Sequence, residues 1–195
     1  MKTFLIFFVL FFSFPVFAGD SSDFEIEGMS IGDSLLDYMS EKKIKTEMIR
    51  TRPMYNYLTE EFGEAYLYKK FETYDYLAIV VKNNDQHYYI HQVRGIIAYN
   101  DDISKCYIKK ESIINEIASL FQDEKRNDKT IIYPKSIDPS GKSEMRRTDF
   151  YFNSGGKIII SCANLDESVR KKNNWDSALS VTIQDTEAYN WFSNY

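Results

Sequence analysis

Residues 74–99 read YDYLAIVVKNNDQHYYIHQVRGIIAY. Tyr74–Val81 is dense in aromatic and β-branched residues, and Tyr88–Tyr99 is of the same kind. Between them Lys82-Asn83-Asn84-Asp85 has turn chemistry. Two strand-forming runs joined by so short a connection pair as an antiparallel hairpin, because a parallel crossover needs a dozen residues or more. Gly95 interrupts the second run and marks either a bulge or a close packing contact.

The same pattern returns downstream. Met145–Phe152 and Lys157–Ala163 flank Asn153-Ser154-Gly155-Gly156 and read as a second hairpin. Consecutive hairpins build an antiparallel sheet, so the expected class is α+β, a single domain over residues 19–195 with helices packed on the sheet. Shorter strands are expected at Phe24–Glu27, Tyr66–Phe71, Thr130–Tyr133 and Ala178–Gln184. Ser34 begins a helix, with Asp37 placed as in a capping box, and Ser40 precedes a second that carries Ile44 and Met48 and ends near Pro53. A long helix is expected over Lys105–Arg126, and Asp185 caps a terminal one carrying Ala188, Trp191 and Phe192. Residues 127–144 read as a loop apart from the Thr130–Tyr133 strand, and Asp166–Asp176 as a polar loop. The order also admits two degenerate helix–hairpin units.

Two cysteines occur. Ile113, Ile114, Ile117, Leu120 and Phe121 form an apolar helical stripe, and stepping back along it past Lys110 reaches Cys106. On Lys157–Ala163, Ile158, Ile160 and Cys162 share one face. Both thiols therefore point into one helix–sheet interface, as a Cys106–Cys162 disulfide or as two buried thiols. A bridge closing a loop of this length contributes ~4 kcal/mol in the chain-entropy account.

The first residues, MKTFLIFFVLFFSFPVFA, have the parts of a secretory signal. Lys2 supplies the positive end, Phe4–Phe12 is unbroken apolar sequence, Pro15 breaks the helix, and Val16-Phe17-Ala18 offers a cleavage site between Ala18 and Gly19. The apolar stretch falls short of the roughly 20 residues that span a bilayer. No second run approaches that length, so the processed chain is expected to be soluble and exported, to a periplasm or outside the cell. Removing Lys2 takes the net charge from −5 to −6. Such a balance gives no electrostatic basis for binding nucleic acid or an anionic membrane. With seven of 14 Phe in the leader and all 15 Tyr outside it, Tyr is the main aromatic of the mature chain.

Four sequence features bear on chemistry. Gly32-Asp33-Ser34-Leu35 resembles the nucleophile block of the GDSL hydrolases, a resemblance that implies ester hydrolysis with Ser34 as nucleophile and a late Asp-x-x-His as its base. That partner motif is missing, since Asn84 stands three before His87 and Tyr88 three before His91. The same residues also serve as a helix start. Gly141-Lys142-Ser143 lacks the first glycine of a phosphate-binding loop, which falls on Ser136, and reads as a turn. His87 and His91, four apart on a strand, stand ~13 Å apart, too far to share a metal. No metal or other cofactor is indicated.

Tyr55, Tyr57, Tyr66, Tyr68, Tyr74 and Tyr76 form either an aromatic platform for a ligand or ordinary strand packing, with Tyr68 and Tyr76 the candidate binding residues. Gly28-Met29-Ser30 ahead of a short helix and a hairpin is similar to the opening of small outer-membrane assembly lipoproteins, without their lipid-bearing Cys. Tandem helix–hairpin units are similar to the fold of beta-lactamase inhibitor proteins. With no complete catalytic constellation, the expected role is a non-catalytic binding or assembly module with a protein or small-ligand partner in the cell envelope. The alternative is a GDSL-like esterase using Ser34. If the leader is cleaved as read, mass spectrometry of the exported protein will find Gly19 at its N-terminus; an N-terminus at Met1 would exclude cleavage.

Overall fold

The structure is a computed structural model, and it describes residues 21–54, 61–120, 125–153 and 155–194. The leader with its Ala18–Gly19 junction, Tyr55, Tyr57, the segment 121–124 and Ser154 lie outside the described residues. In chain order come β1 (Glu25–Ile26), β2 (Met29–Ser30), α1 (Glu41–Thr51), β3 (Phe62–Leu67), β4 (Tyr76–Lys82), β5 (Ile90–Ala98) and α2 (Ile103–Leu120). Then follow β6 (Lys125–Ile132), β7 (Glu144–Tyr151), β8 (Lys157–Asn164), α3 (Glu167–Asn173), β9 (Ala178–Gln184) and α4 (Thr186–Phe192). β1 and β2 form a small hairpin. The other strands make one seven-stranded antiparallel sheet in the order β3-β4-β5-β9-β8-β7-β6. This is the expected α+β architecture, and both hairpins form.

One face of the sheet holds the core. Leu77, Ile79 and Val81 of β4, Val93 of β5, Leu179, Val181 and Ile183 of β9, and Ile158 and Ile160 of β8 are buried there. The alternation of these strands puts every second residue on that face. α2 covers β8 and β9 with Cys106, Ile114 and Ile117, while α1 lies along β3 through Ile44 and Met48. The Gly63 position is what lets α1 approach, since a Cβ there would stand 2.5 Å from the Met48 methyl. At the Gly95 position a Cβ would stand 2.5 Å from the Tyr74 ring, so this glycine marks close packing. The irregularity in this pair lies farther along, where the register shifts between Val80 and Val81 and leaves His91 of β5 without a Cα partner.

Cys106 and Cys162 are joined by a disulfide between α2 and β8, with their Cα atoms 6.1 Å apart and both residues fully buried. Lys110, on the same stripe, is also buried. Its ammonium donates to Thr148 Oγ1 at 2.9 Å and stands 3.5 Å from a Glu111 carboxylate oxygen, which together offset a charge that burial would otherwise make costly.

Several boundaries differ from the sequence expectation. β3 runs over Phe62–Leu67 rather than Tyr66–Phe71, because it pairs with the whole of β4 and the chain turns through residues 68–75. α2 is described to Leu120, and Lys125 and Arg126 belong to β6 instead of the helix. β6 extends well beyond the expected Thr130–Tyr133, since its charged residues pair along the full length of β7 at the sheet edge. Asp166–Asp176 is not a loop but contains α3, capped by Asp166 on the Ser168 N–H and stopped by Asn174 in the left-handed conformation. The helix at Ser34 is one 3-10 turn, Leu35–Asp37.

A helix followed by a strand meander does occur twice, α1 with β3–β5 and α2 with β6–β8. The two helices pack differently, α1 on the edge strand and α2 on β8 and β9, so the halves share an order of elements and not an arrangement. The disulfide closes a separation of 56 residues, so a Cys106→Ala/Cys162→Ala variant should lose about 4 kcal/mol in denaturant titration. A loss below about 1 kcal/mol would mean that the bridge does not constrain the unfolded chain.

Candidate functional site

The second face of the sheet is built quite differently. Across its middle row, Ala78 of β4 pairs with Arg94 of β5, Arg94 with Thr182 of β9, Thr182 with Ile159 of β8, and Ile159 with Asp149 of β7. The row toward α4 carries Val80, Gln92, Gln184, Lys157 and Tyr151, and the opposite row Tyr76, Ile96, Ser180, Ser161 and Arg147. Period-2 alternation therefore delivers polar side chains from four adjacent strands to one surface. They line a cleft of about 310 Å³ that opens to solvent.

α4 forms one wall. Asp185, at the end of β9, caps it by accepting from the Ala188 N–H at 2.7 Å, and its other oxygen is 2.7 Å from His91 Nδ1. Lys82 pairs with Glu187, which holds the same helix to β4. Phe62 packs against Trp191 at 5.5 Å, and so Phe192 and Ser193 are placed at the rim of the cleft.

The charges are ordered. Arg94 meets Glu64 at 2.6 Å, and Arg147 clasps Asp149 through Nε (2.5 Å) and Nη2 (3.1 Å). Lys129 reaches the same carboxylate at 3.3 Å. Burial raises the Glu64 carboxyl above the usual range against the pull of Arg94. Burial also pushes Asp149 up, but Arg147, Lys129 and Lys157 outweigh it and hold the carboxyl below its ordinary value.

Lys157 is different. It is 7 % exposed, its ammonium stands 4.3 Å from the Tyr189 ring centre and 5.6 Å from that of Tyr151, and among the described residues no carboxylate is within ion-pair distance. Burial first, then the Arg147 charge, lowers its pKa to about 8, with Asp149 opposing. Gln184 is 2 % exposed, and its amide nitrogen is buried without a hydrogen-bond partner among the described residues.

Tyr68 and Tyr76, the candidate residues from sequence, do come together. Tyr66, Tyr68 and Tyr76 form an aromatic cluster with ring centres 5.4–6.0 Å apart, and Arg50 lies over Tyr66 at 5.2 Å. Tyr68 is 56 % exposed. Tyr76 shares its row with Ser180 of the cleft, two strands or roughly 10 Å away. Tyr74 belongs to the opposite, core-facing side.

Ser34 donates its hydroxyl to the His87 carbonyl at 2.6 Å and accepts from the Leu36 N–H at 3.3 Å, holding the 3-10 turn against the turn before β5. His87 lies in that turn and stacks on Tyr89, outside β5 where the sequence had placed it, while His91 bonds Asp185. Lys142 and Ser143 lie between β6 and β7, where buried Asp138 accepts from the Ser140 hydroxyl and from the Ser143 and Ser140 N–H groups; these bonds, the hydroxyl first, hold its carboxyl well below the usual range. Sequence reasoning missed Arg94, Arg147, Lys157 and Gln184. Their only signal was polar residues at alternate positions in strands whose other face is apolar.

No protein-family model matches the chain, and neither a curated protein nor a solved structure matches it.

The unfolded chain keeps the Lys157 proton to higher pH than the folded one, so folding works against a charged lysine at neutral pH. Wild-type stability should therefore rise relative to Lys157→Met as pH climbs from about 8 toward 10.5, by on the order of 3 kcal/mol in total. Parallel denaturant titrations of the two proteins across this range check it; a constant difference would show that Lys157 is solvated.

Proposed function

We propose that this protein is an exported, non-catalytic binding or assembly module that takes a protein partner or small ligand on the open face of its sheet. One observation carries the reading: the face opposite the core buries polar and charged side chains beneath a cleft that remains open to solvent. A face needed only for solubility has no reason to bury Gln184 and Lys157, since a buried polar group or charge costs stability unless it is paired. The Tyr66–Tyr68–Tyr76 cluster supports it, because amphipathic rings with one exposed member suit a contact surface. Location outside the cytoplasm is supported by the leader-like first 18 residues and by the disulfide, which persists in oxidising compartments. Among the described residues no helix is long and apolar enough to cross a membrane.

Crosslinking the tagged protein in intact cells, followed by mass spectrometry of the recovered material, tests the reading. A partner present in comparable amount with wild type and lost with Tyr68→Ala/Tyr76→Ala is expected. Recovery that is indifferent to both tyrosines would count against this surface. The reading also expects wild type and Ser34→Ala to be equally inactive on a panel of esters, and Ser34-dependent hydrolysis would overturn it.

A further inference from the structure

We propose that the cleft binds a small organic monocarboxylate, its carboxylate held by Lys157, Arg147 and the Gln184 amide and its body resting on Met145, Ile159 and Phe192. The inference rests on the binding reading above and names the class of ligand.

Among the described residues the lining contains Arg94, Arg147 and Lys157 and no acidic side chain. Cations gathered in a partly desolvated cleft repel one another unless an anion joins them. Glu64 and Asp149 already pair with the two arginines. Lys157 is the lining cation without a carboxylate within ion-pair distance among the described residues, so the open position for an anion lies beside it. Asp149 takes two of the five N–H donors of Arg147 and fixes its plane, so the guanidinium is pre-oriented for a second oxyanion.

The second observation is independent of charge. Gln184 Nε2 is buried in the lining with no hydrogen-bond partner among the described residues, a state that is costly until an acceptor meets it. A carboxylate oxygen is such an acceptor. The three apolar lining residues supply contact area that inorganic phosphate has no means to use, and the volume of about 310 Å³ suits a small molecule.

The groups facing Lys157 are Arg147, Asp149 and Tyr151 from β7, Lys129 from β6, Tyr189 from α4 and neutral Gln184 from β9. Tyr151 is raised, chiefly by burial, and stays neutral through the range in which Lys157 loses its proton. Carboxylate affinity should accordingly decline above pH 8, where Lys157 becomes neutral.

The test is a titration of the folded, oxidised protein with hexanoate, benzoate, hexanamide and inorganic phosphate, read by amide chemical shifts. Expected are saturable shifts at cleft residues for at least one of the two carboxylates, at least tenfold weaker binding of hexanamide and phosphate, and at least a tenfold loss in Lys157→Gln. Affinity should fall between pH 7 and 9 in wild type and stay flat in Lys157→Gln, while Lys172→Gln, an exposed lysine on α3, changes nothing. A Gln184→Leu variant that also binds at least tenfold more weakly supports the amide contact independently of Lys157. Absence of saturable binding for both carboxylates, or equal binding of hexanamide or phosphate, overturns the proposal. If that occurs while a Tyr68-dependent partner is still recovered by crosslinking, the monocarboxylate falls and the binding module stands; if neither is found, both fall.

Discussion

Everything in this molecule passes through β9. The meanders β3–β5 and β6–β8 do not touch as strands; β9 enters between β5 and β8 and hydrogen-bonds to both. Its core-facing residues Leu179, Val181 and Ile183 join the two apolar halves under α2, and its other face supplies Ser180, Thr182 and Gln184 to the cleft floor. Asp185, directly after it, then launches α4, which walls the cleft; the Asp185 carbonyl accepts from the Tyr189 N–H and its side chain from the Ala188 N–H. One seven-residue strand sets the core, the site floor and the site wall together.

The two faces divide the physics of the fold. The core side is stabilised by apolar area and by the covalent tie between α2 and β8. The open side carries groups whose burial is unfavourable unless paired; Arg94 and Arg147 have carboxylate partners in Glu64 and Asp149, whereas Lys157 has none within ion-pair distance among the described residues. Local departures from full satisfaction in an otherwise consistent structure are where function is to be sought.

The sequence made the sheet legible wherever an apolar face dictated period-2 alternation. Ala178–Gln184, the two hairpins and the placement of Cys106 and Cys162 in one interface follow from which residues share a face; that the two thiols are bridged needed their distance. Elements without an apolar stripe were hidden. α3 buries only Val169, and β6 is exposed at every position, so its Lys125-Arg126-Asn127-Asp128-Lys129 run looks like a helix end followed by a loop. Charges on an edge strand are a defence against pairing with other chains, and here they mask the strand itself. At the candidate site, Tyr68 and Tyr76 were readable because they stand out in type. The cleft residues come from four strands distant in sequence, and only the strand order β5-β9-β8-β7 brings them together.

That order has a consequence for how the chain comes to be folded. β9 and α4 occupy the last part of the sequence, yet β9 sits in the middle of the sheet. Until residues 178–184 have been synthesised and have threaded into place, β5 and β8 each present a bare edge of unpaired N–H and C=O groups, and the apolar halves have no seam. Local meanders can form early, but the long-range pairings that unite them come last and are entropically the most costly. Unpaired edges of that kind are templates for pairing with other chains, and in this fold pairing with β9 removes both at once.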